Sequence, residues 1–167
     1  SNCALLTVKM VEETVGELTY RVTASTEAAV STIGSSFPKG TLSSTDSLDG
    51  GAGTDSLTVV YNTAVTPLSI TNIENLTLSD ADGATEIINL VNVTGVTTLT
   101  SLAAAAAVDL NNLRAIPTLV LKNQGVDVDI DFVDSVVSGS SDTINLVVES
   151  NTDGDVTIEG VETVNIT

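Results

Sequence analysis

Gly50-Gly51-Ala52-Gly53-Thr54-Asp55-Ser56-Leu57-Thr58 meets every specified position of the nine-residue pattern G-G-x-G-x-D-x-U-x, where U is a large apolar residue. That pattern is a calcium-holding unit of β-solenoids. Its glycines let the backbone curl through positive φ so that carbonyl oxygens turn inward. The Asp supplies a hard anionic oxygen, and the apolar residue drops into the core. Nine residues upstream, Thr45-Asp46-Ser47-Leu48 repeats Thr54-Asp55-Ser56-Leu57 residue for residue. The spacing predicts that Asp46 and Asp55 lie one above the other on successive turns and share an ion. Asp49 and the carbonyls of Gly51 and Gly53 complete the expected set. The competing reading of the stretch is a Gly-rich hairpin loop between two ordinary strands.

Composition extends the solenoid reading to the whole chain. Aromatic residues are 2% of the 167 and Trp is absent, so a core must be built from many small, stacked Val, Leu and Ile side chains. Twenty-two acidic residues against five basic ones give a formal charge of −17. Such a surface repels nucleic acid and anionic membrane and attracts divalent cations. Strong negative charge also suits disorder, but a hydrophobic content of 42% and a positive mean hydropathy oppose it. The single cysteine, Cys3, cannot form an internal disulfide. Outside cells metal ions can supply the cross-links instead, so the compartment stays open on this ground. No apolar run reaches the roughly 18 residues of a membrane span, and no membrane insertion is expected.

Residues 1–40 differ from the rest of the chain. They hold Lys9, Arg21 and Lys39, the only Met, and no period that continues later. Leu18, Tyr20 and Val22 alternate with polar residues and predict a strand; Thr26 to Ile33 allows a short helix started by Ser25 or Thr26. Gly34 to Gly40 then breaks regular structure. We read 1–40 as a less regular N-terminal cap and 41–167 as the solenoid.

Within 41–167, Asp55-Ser56-Leu57-Thr58-Val59-Val60 aligns with Asp142-Thr143-Ile144-Asn145-Leu146-Val147, and after one inserted residue Ile73-Glu74 aligns with Val161-Glu162 and Leu76 with Val164. An internal repeat of this length that runs up to Thr167 is expected of a segment of a longer array. Strand-like segments begin near Leu57, Leu76, Val96, Leu119, Ile144 and Val164, a spacing that suits one coil of a parallel β-helix. Val126, Val128, Ile130 and Phe132 alternate with Asp127, Asp129 and Asp131, which places three carboxylates on one face. A bound cation, Lys122 or solvation would each relieve their repulsion. The run Ala103 to Ala107 reads either as one helical turn or as small-residue packing at a coil corner. Asn72, Asn75, Asn89, Asn92, Asn111, Asn112, Asn123 and Asn145 recur near predicted turns, where asparagine bonds neighbouring backbone or tolerates a left-handed φ.

The sequence contains no histidine. This removes Ser-His and Cys-His dyads and the commonest general base. Parallel β-helices can cleave polysaccharides, but two Arg, three Lys, two Tyr and two Phe leave little to neutralise or stack on a sugar. No catalytic residue is assigned, and no enzyme is expected. Thr98-Leu99-Thr100 is a triplet of the kind found on ice-binding solenoid faces, but it does not recur at a fixed interval. Asp80-Ala81-Asp82-Gly83 and Asp153-Gly154-Asp155 place carboxylates around a Gly, as calcium loops begin, though the bidentate Glu of an EF-hand is missing. Asp80, Asp82, Asp153 and Asp155 are therefore either further calcium ligands or ordinary Asp-Gly turns.

Ile73-Glu74-Asn75-Leu76-Thr77-Leu78, Gly160-Val161-Glu162-Thr163-Val164-Asn165-Ile166 and Val93-Thr94-Gly95-Val96-Thr97-Thr98-Leu99 resemble phrases of bacterial surface-layer (S-layer) proteins related to RTX proteins. The likeness runs from about Thr45 to Thr167. Large secreted adhesins share these phrases, and only one complete nonapeptide is present here. The resemblance implies a right-handed parallel β-helix, stabilised by Ca2+, exported by type I secretion and assembled with copies of itself on the bacterial cell surface. Cell-surface polysaccharide is a further candidate partner. The alternative it implies is a repeat segment of a calcium-binding adhesin.

Overall fold

Side chains alternate along a strand, so in Ser56–Tyr61 (β4) Leu57, Val59 and Tyr61 share one side, and all three are buried. The same alternation recurs in Asn75–Asp80 (β6), Thr98–Leu102 (β8), Thr118–Lys122 (β10) and the first half of Thr143–Glu149 (β12), while Thr163–Ile166 (β14) is exposed throughout. These six strands pair in parallel, each with the next in this order, and form the first face of a β-solenoid. Leu57, Leu76, Leu99, Leu119, Leu146 and Ile166 occupy one register position from rung to rung. The first five are buried. Fully burying such a side chain is worth about 1.5–3 kcal/mol, so this column is the spine of the core.

The computed structural model describes residues 42–80 and 82–167, together with two short strands, Val11–Glu12 (β1) and Leu18–Thr19 (β2), which pair antiparallel. Leu18 and Thr19 thus begin the strand expected at Leu18 to Val22; the remaining N-terminal expectations, the 26–33 helix included, lie outside the described residues. A second face is built from Glu86–Asn89 (β7), Val108–Leu113 (β9), Val128–Phe132 (β11) and Val156–Ile158 (β13), again all parallel. On β11, Val128, Ile130 and Phe132 point inward while Asp127 and Asp129 are exposed and Asp131 is half-buried, as the alternation predicts. A third face is short. Ser47–Asp49 (β3) pairs with Ser69–Thr71 (β5), and Ile70 bridges to Val93.

The third face stops there. Eight residues, 90–97, lead from β7 to β8, but only four, 114–117, lead from β9 to β10. The cross-section therefore steps from three sides to two at the 98–117 coil.

Corners follow from local chemistry. Ala103, Asn123 and Ser150, which directly follow β8, β10 and β12, all take positive φ, 53°, 55° and 56°. Ala103 N–H donates to the Lys122 carbonyl and Asn123 N–H to the Glu149 carbonyl, so the left-handed corners stack. Asn72 and Asn112 adopt the same conformation elsewhere. The alanine run forms no helix. Ala105 lies over Gly83, where an added Cβ would come within 3.3 Å of its own, and small side chains let the two corners approach.

The rungs differ from the sequence repeat by two residues. The repeat aligns Leu57 with Ile144, whereas the ladder carries Leu57 through Leu76, Leu99 and Leu119 to Leu146. A shift of two leaves every side chain on its original face.

Candidate functional site

The nonapeptide forms the corner between β3 and β4. Gly51 and Gly53 take φ of 84° and 130°, as the motif requires. Gly50 is needed for a different reason. A Cβ there would lie 1.9 Å from the Asn72 carbonyl oxygen and 2.9 Å from Asp55 Cβ, so the next coil is packed onto bare backbone. Asp49 Oδ1 accepts from Gly51 N–H at 3.0 Å and from Asn72 Nδ2 at 2.8 Å, which ties the corner to the coil above. Asp55 is fully buried.

Asp46 and Asp55 are not stacked. Asp46 precedes β3 and Asp55 precedes β4, and these strands belong to different faces. Along the first face, successive rungs are separated by 19 to 27 residues, so nine residues carry the chain from one corner to the next of a single coil. The TDSL tetrads are consecutive corners rather than successive turns. Asp46 is 7% exposed and accepts from Ser43 N–H at 2.8 Å and Ser43 Oγ at 3.1 Å. Loss of hydration on burial raises its pKa, and the two Ser43 bonds oppose that rise.

What lies across the coil boundary from Asp55 is Glu74. Asp55 N–H donates to Glu74 Oε2 at 2.7 Å, while the Asp55 carbonyl accepts from Asn75 N–H at 3.0 Å. The arrangement returns in the second copy of the repeat: Asp142 N–H donates to Glu162 Oε2 at 2.8 Å, and the Asp142 carbonyl accepts from Glu162 and Thr163 N–H. The glutamate of the I/V-E phrase is thus a backbone acceptor that fixes the start of the strand one coil earlier. In the sequence alone these glutamates are only aligned letters; the paired Asp-to-Glu interval, 19 residues in one copy and 20 in the other, is the signal that could have found them.

The Asp80 to Gly83 corner is an Asp-turn. Asp80 Oδ1 accepts from the N–H groups of Asp82 and Gly83 at 3.0 and 3.1 Å, and its Oδ2 from Ala105 N–H at 3.3 Å. Asp82 Oδ1 accepts from Ala84 N–H at 3.0 Å. Beside it lies an acid that sequence reasoning missed. Glu86 is 9% exposed at an inward position, in the column that continues as Val108, Val128 and Val156. Its neighbour Ile87 is instead 47% exposed. Burial raises the Glu86 pKa, with Asp82 and then Asp80 adding to the rise. Tyr61 is held protonated by burial and by Asp80, Glu86 and Asp82 in turn. At the other Asp-Gly corner, Asp153 Oδ1 accepts from Gly154 N–H at 3.0 Å, and Asp155 N–H donates to Asp127 Oδ1 at 2.9 Å.

These carboxylates are hard oxygen donors suited to calcium. Many of their oxygens are already aimed at backbone N–H groups. Among the described residues no three Asp, Glu or Cys side chains gather closely enough to cage an ion. The chain matches no known family model, no curated protein and no solved structure.

The two main faces differ in charge. Outward on the first face, Ser56, Asn75, Thr98, Thr118, Asn145 and Asn165 form one column, and Thr58, Thr77, Thr100, Val120 and Val147 another. Neither column carries a charge; the third, Val60, Ser79, Leu102, Lys122 and Glu149, ends in an ion pair. On the second face, Asp109 and Asp129 are direct register partners, on strands about 4.7–4.9 Å apart. Thr98-Leu99-Thr100 therefore sits in a mixed Ser, Thr, Asn and Val array, not in a recurring Thr-x-Thr array.

Proposed function

We propose that this chain is a structural solenoid segment of a calcium-responsive, self-assembling extracellular surface layer. The observation that supports it best is that two of the first face's outward columns carry no charge, and that its Lys122 and Glu149 pair with each other, in a chain whose net charge is −17. Lateral packing of like-charged copies demands such a surface, because two acidic faces repel while two neutral, flat sheets can approach. Absence of histidine, with no gathered acidic cluster among the described residues, favours a structural role over catalysis.

Calcium enters this reading as a surface neutraliser. One or two corner carboxylates, from Asp46, Asp49, Asp55, Asp80, Asp82, Asp153 or Asp155, would hold an ion together with carbonyl oxygens and water. Its chemistry is charge compensation, which relieves self-repulsion of the folded rod.

The test is thermal unfolding with calcium and with chelator, followed by electron microscopy of both samples. The reading expects a midpoint several degrees higher with calcium, and ordered sheets only there. An unchanged midpoint would remove calcium from the account. Calcium stabilisation without sheets, together with saturable binding to cell-surface polysaccharide, would favour the adhesin alternative.

A further inference from the structure

The step from three sides to two leaves a space. Among the described residues the 93–97 corner of the wider coil has no third-face strand above it, and the shorter 114–117 connection cuts the corner. Between them lies a cavity of about 120 Å³, open to solvent on one side. Leu76, Val93, Val96, Leu99, Leu113 and Pro117 are among its lining residues. All six are apolar, and five of them are buried.

Its rim is different. Arg114 lines the opening, is exposed, and reaches back across the step with one guanidinium nitrogen 3.4 Å from the Val91 carbonyl. Between residues 42 and 167 the only cations are Arg114 and Lys122. Lys122 is engaged by Glu149. Arg114 forms no ion pair among the described residues. Without a carboxylate partner among the described residues, this guanidinium sits on the mouth of an apolar hole.

We propose that this step cavity binds a small amphipathic monocarboxylate, with its apolar end among Leu76, Val93, Leu99 and Leu113 and its carboxylate on Arg114. Apolar cavities of roughly this size take ligands as large as benzene, which sets the body at about four to six carbons. A planar guanidinium matches a carboxylate through two parallel N–H donors. A ligand this small binds with a Kd on the order of 1 mM.

The experiment is protein-observed NMR titration of the intact chain with hexanoate, with 1-hexanol as the uncharged comparison. Saturable shifts confined to the methyl groups of Val93, Val96, Leu99 and Leu113 are expected, with hexanoate binding tighter than hexanol. Arg114→Gln, a change at an exposed side chain, should weaken hexanoate about tenfold and leave hexanol unchanged; Arg114→Lys should fall between. No saturation, shifts mapping elsewhere, or equal binding of hexanoate by the wild-type and Arg114→Gln chains would each overturn the proposal.

Discussion

Replacing Glu74 by Ala tests whether the repeated Asp-to-Glu bond holds one coil to the next. The bond is charge-assisted and short, 2.7 Å from Asp55 N–H to Glu74 Oε2, and Asp55 itself is fully buried. Truncation removes the acceptor from a backbone donor on a fully buried residue, a loss of about 1.5–3 kcal/mol. The equivalent Glu162→Ala leaves Asp142 N–H in an exposed setting where water replaces the carboxylate, so its cost should stay under about 1 kcal/mol. Urea unfolding followed by circular dichroism gives the stability difference. Amide hydrogen exchange gives the local one: the Asp55 amide should exchange about ten- to a hundredfold faster in Glu74→Ala. Glu74→Gln, which keeps an acceptor oxygen, should recover most of the protection. Equal costs for the two truncations, or an Asp55 amide unmoved by either, would refute the reasoning.

Gly50→Ala should be among the most damaging single-methyl additions, costing about 1–3 kcal/mol or more, because the Asn72 carbonyl occupies the space the methyl needs; Gly53→Ala, with nothing within 4 Å, should cost only the strain of its positive φ, and a urea midpoint for each separates the two effects. The raised pKa values of Asp46 and Glu86 mean that the folded chain holds those protons more tightly than the unfolded one. Their contribution is fully present below the ordinary carboxylate range and is lost as pH rises through the folded values. Without divalent cations, unfolding midpoints should therefore rise as pH falls from neutral towards the ordinary carboxylate range, and Glu86→Gln should flatten that rise.

The first face was legible because its evidence is redundant. Leu57, Leu76, Leu99 and Leu119 each sit in an apolar alternation, and small Gly, Asn and Asp corners separate them. The second face was legible only in part. Val126 to Phe132 alternates cleanly, but Glu86-Ile87-Ile88-Asn89 places the acid inside and one isoleucine outside, so hydropathy alone gives the wrong face at Ile87. The third face, in strands of three residues, is too short to show a period. The stacking of Asp46 on Asp55 failed for a geometric reason: a sequence interval of nine is less than half a coil, so identical tetrads mark neighbouring corners. Glu74 and Glu162 show the reverse case. Their role depends on contact between residues 19 or 20 apart, and no local pattern announces it.

The two-residue offset between sequence repeat and ladder has a consequence for how such a rod can change length. A two-residue slip keeps inward methyls inward, and the corners absorb length changes of either parity, since successive spine residues from Leu57 to Leu146 lie 19, 23, 20 and 27 residues apart. Only a one-residue slip within a strand would turn that strand inside out, unless a bulge absorbed it. Viable descendants of this rod should therefore vary in girth and loop length while their buried column stays in step.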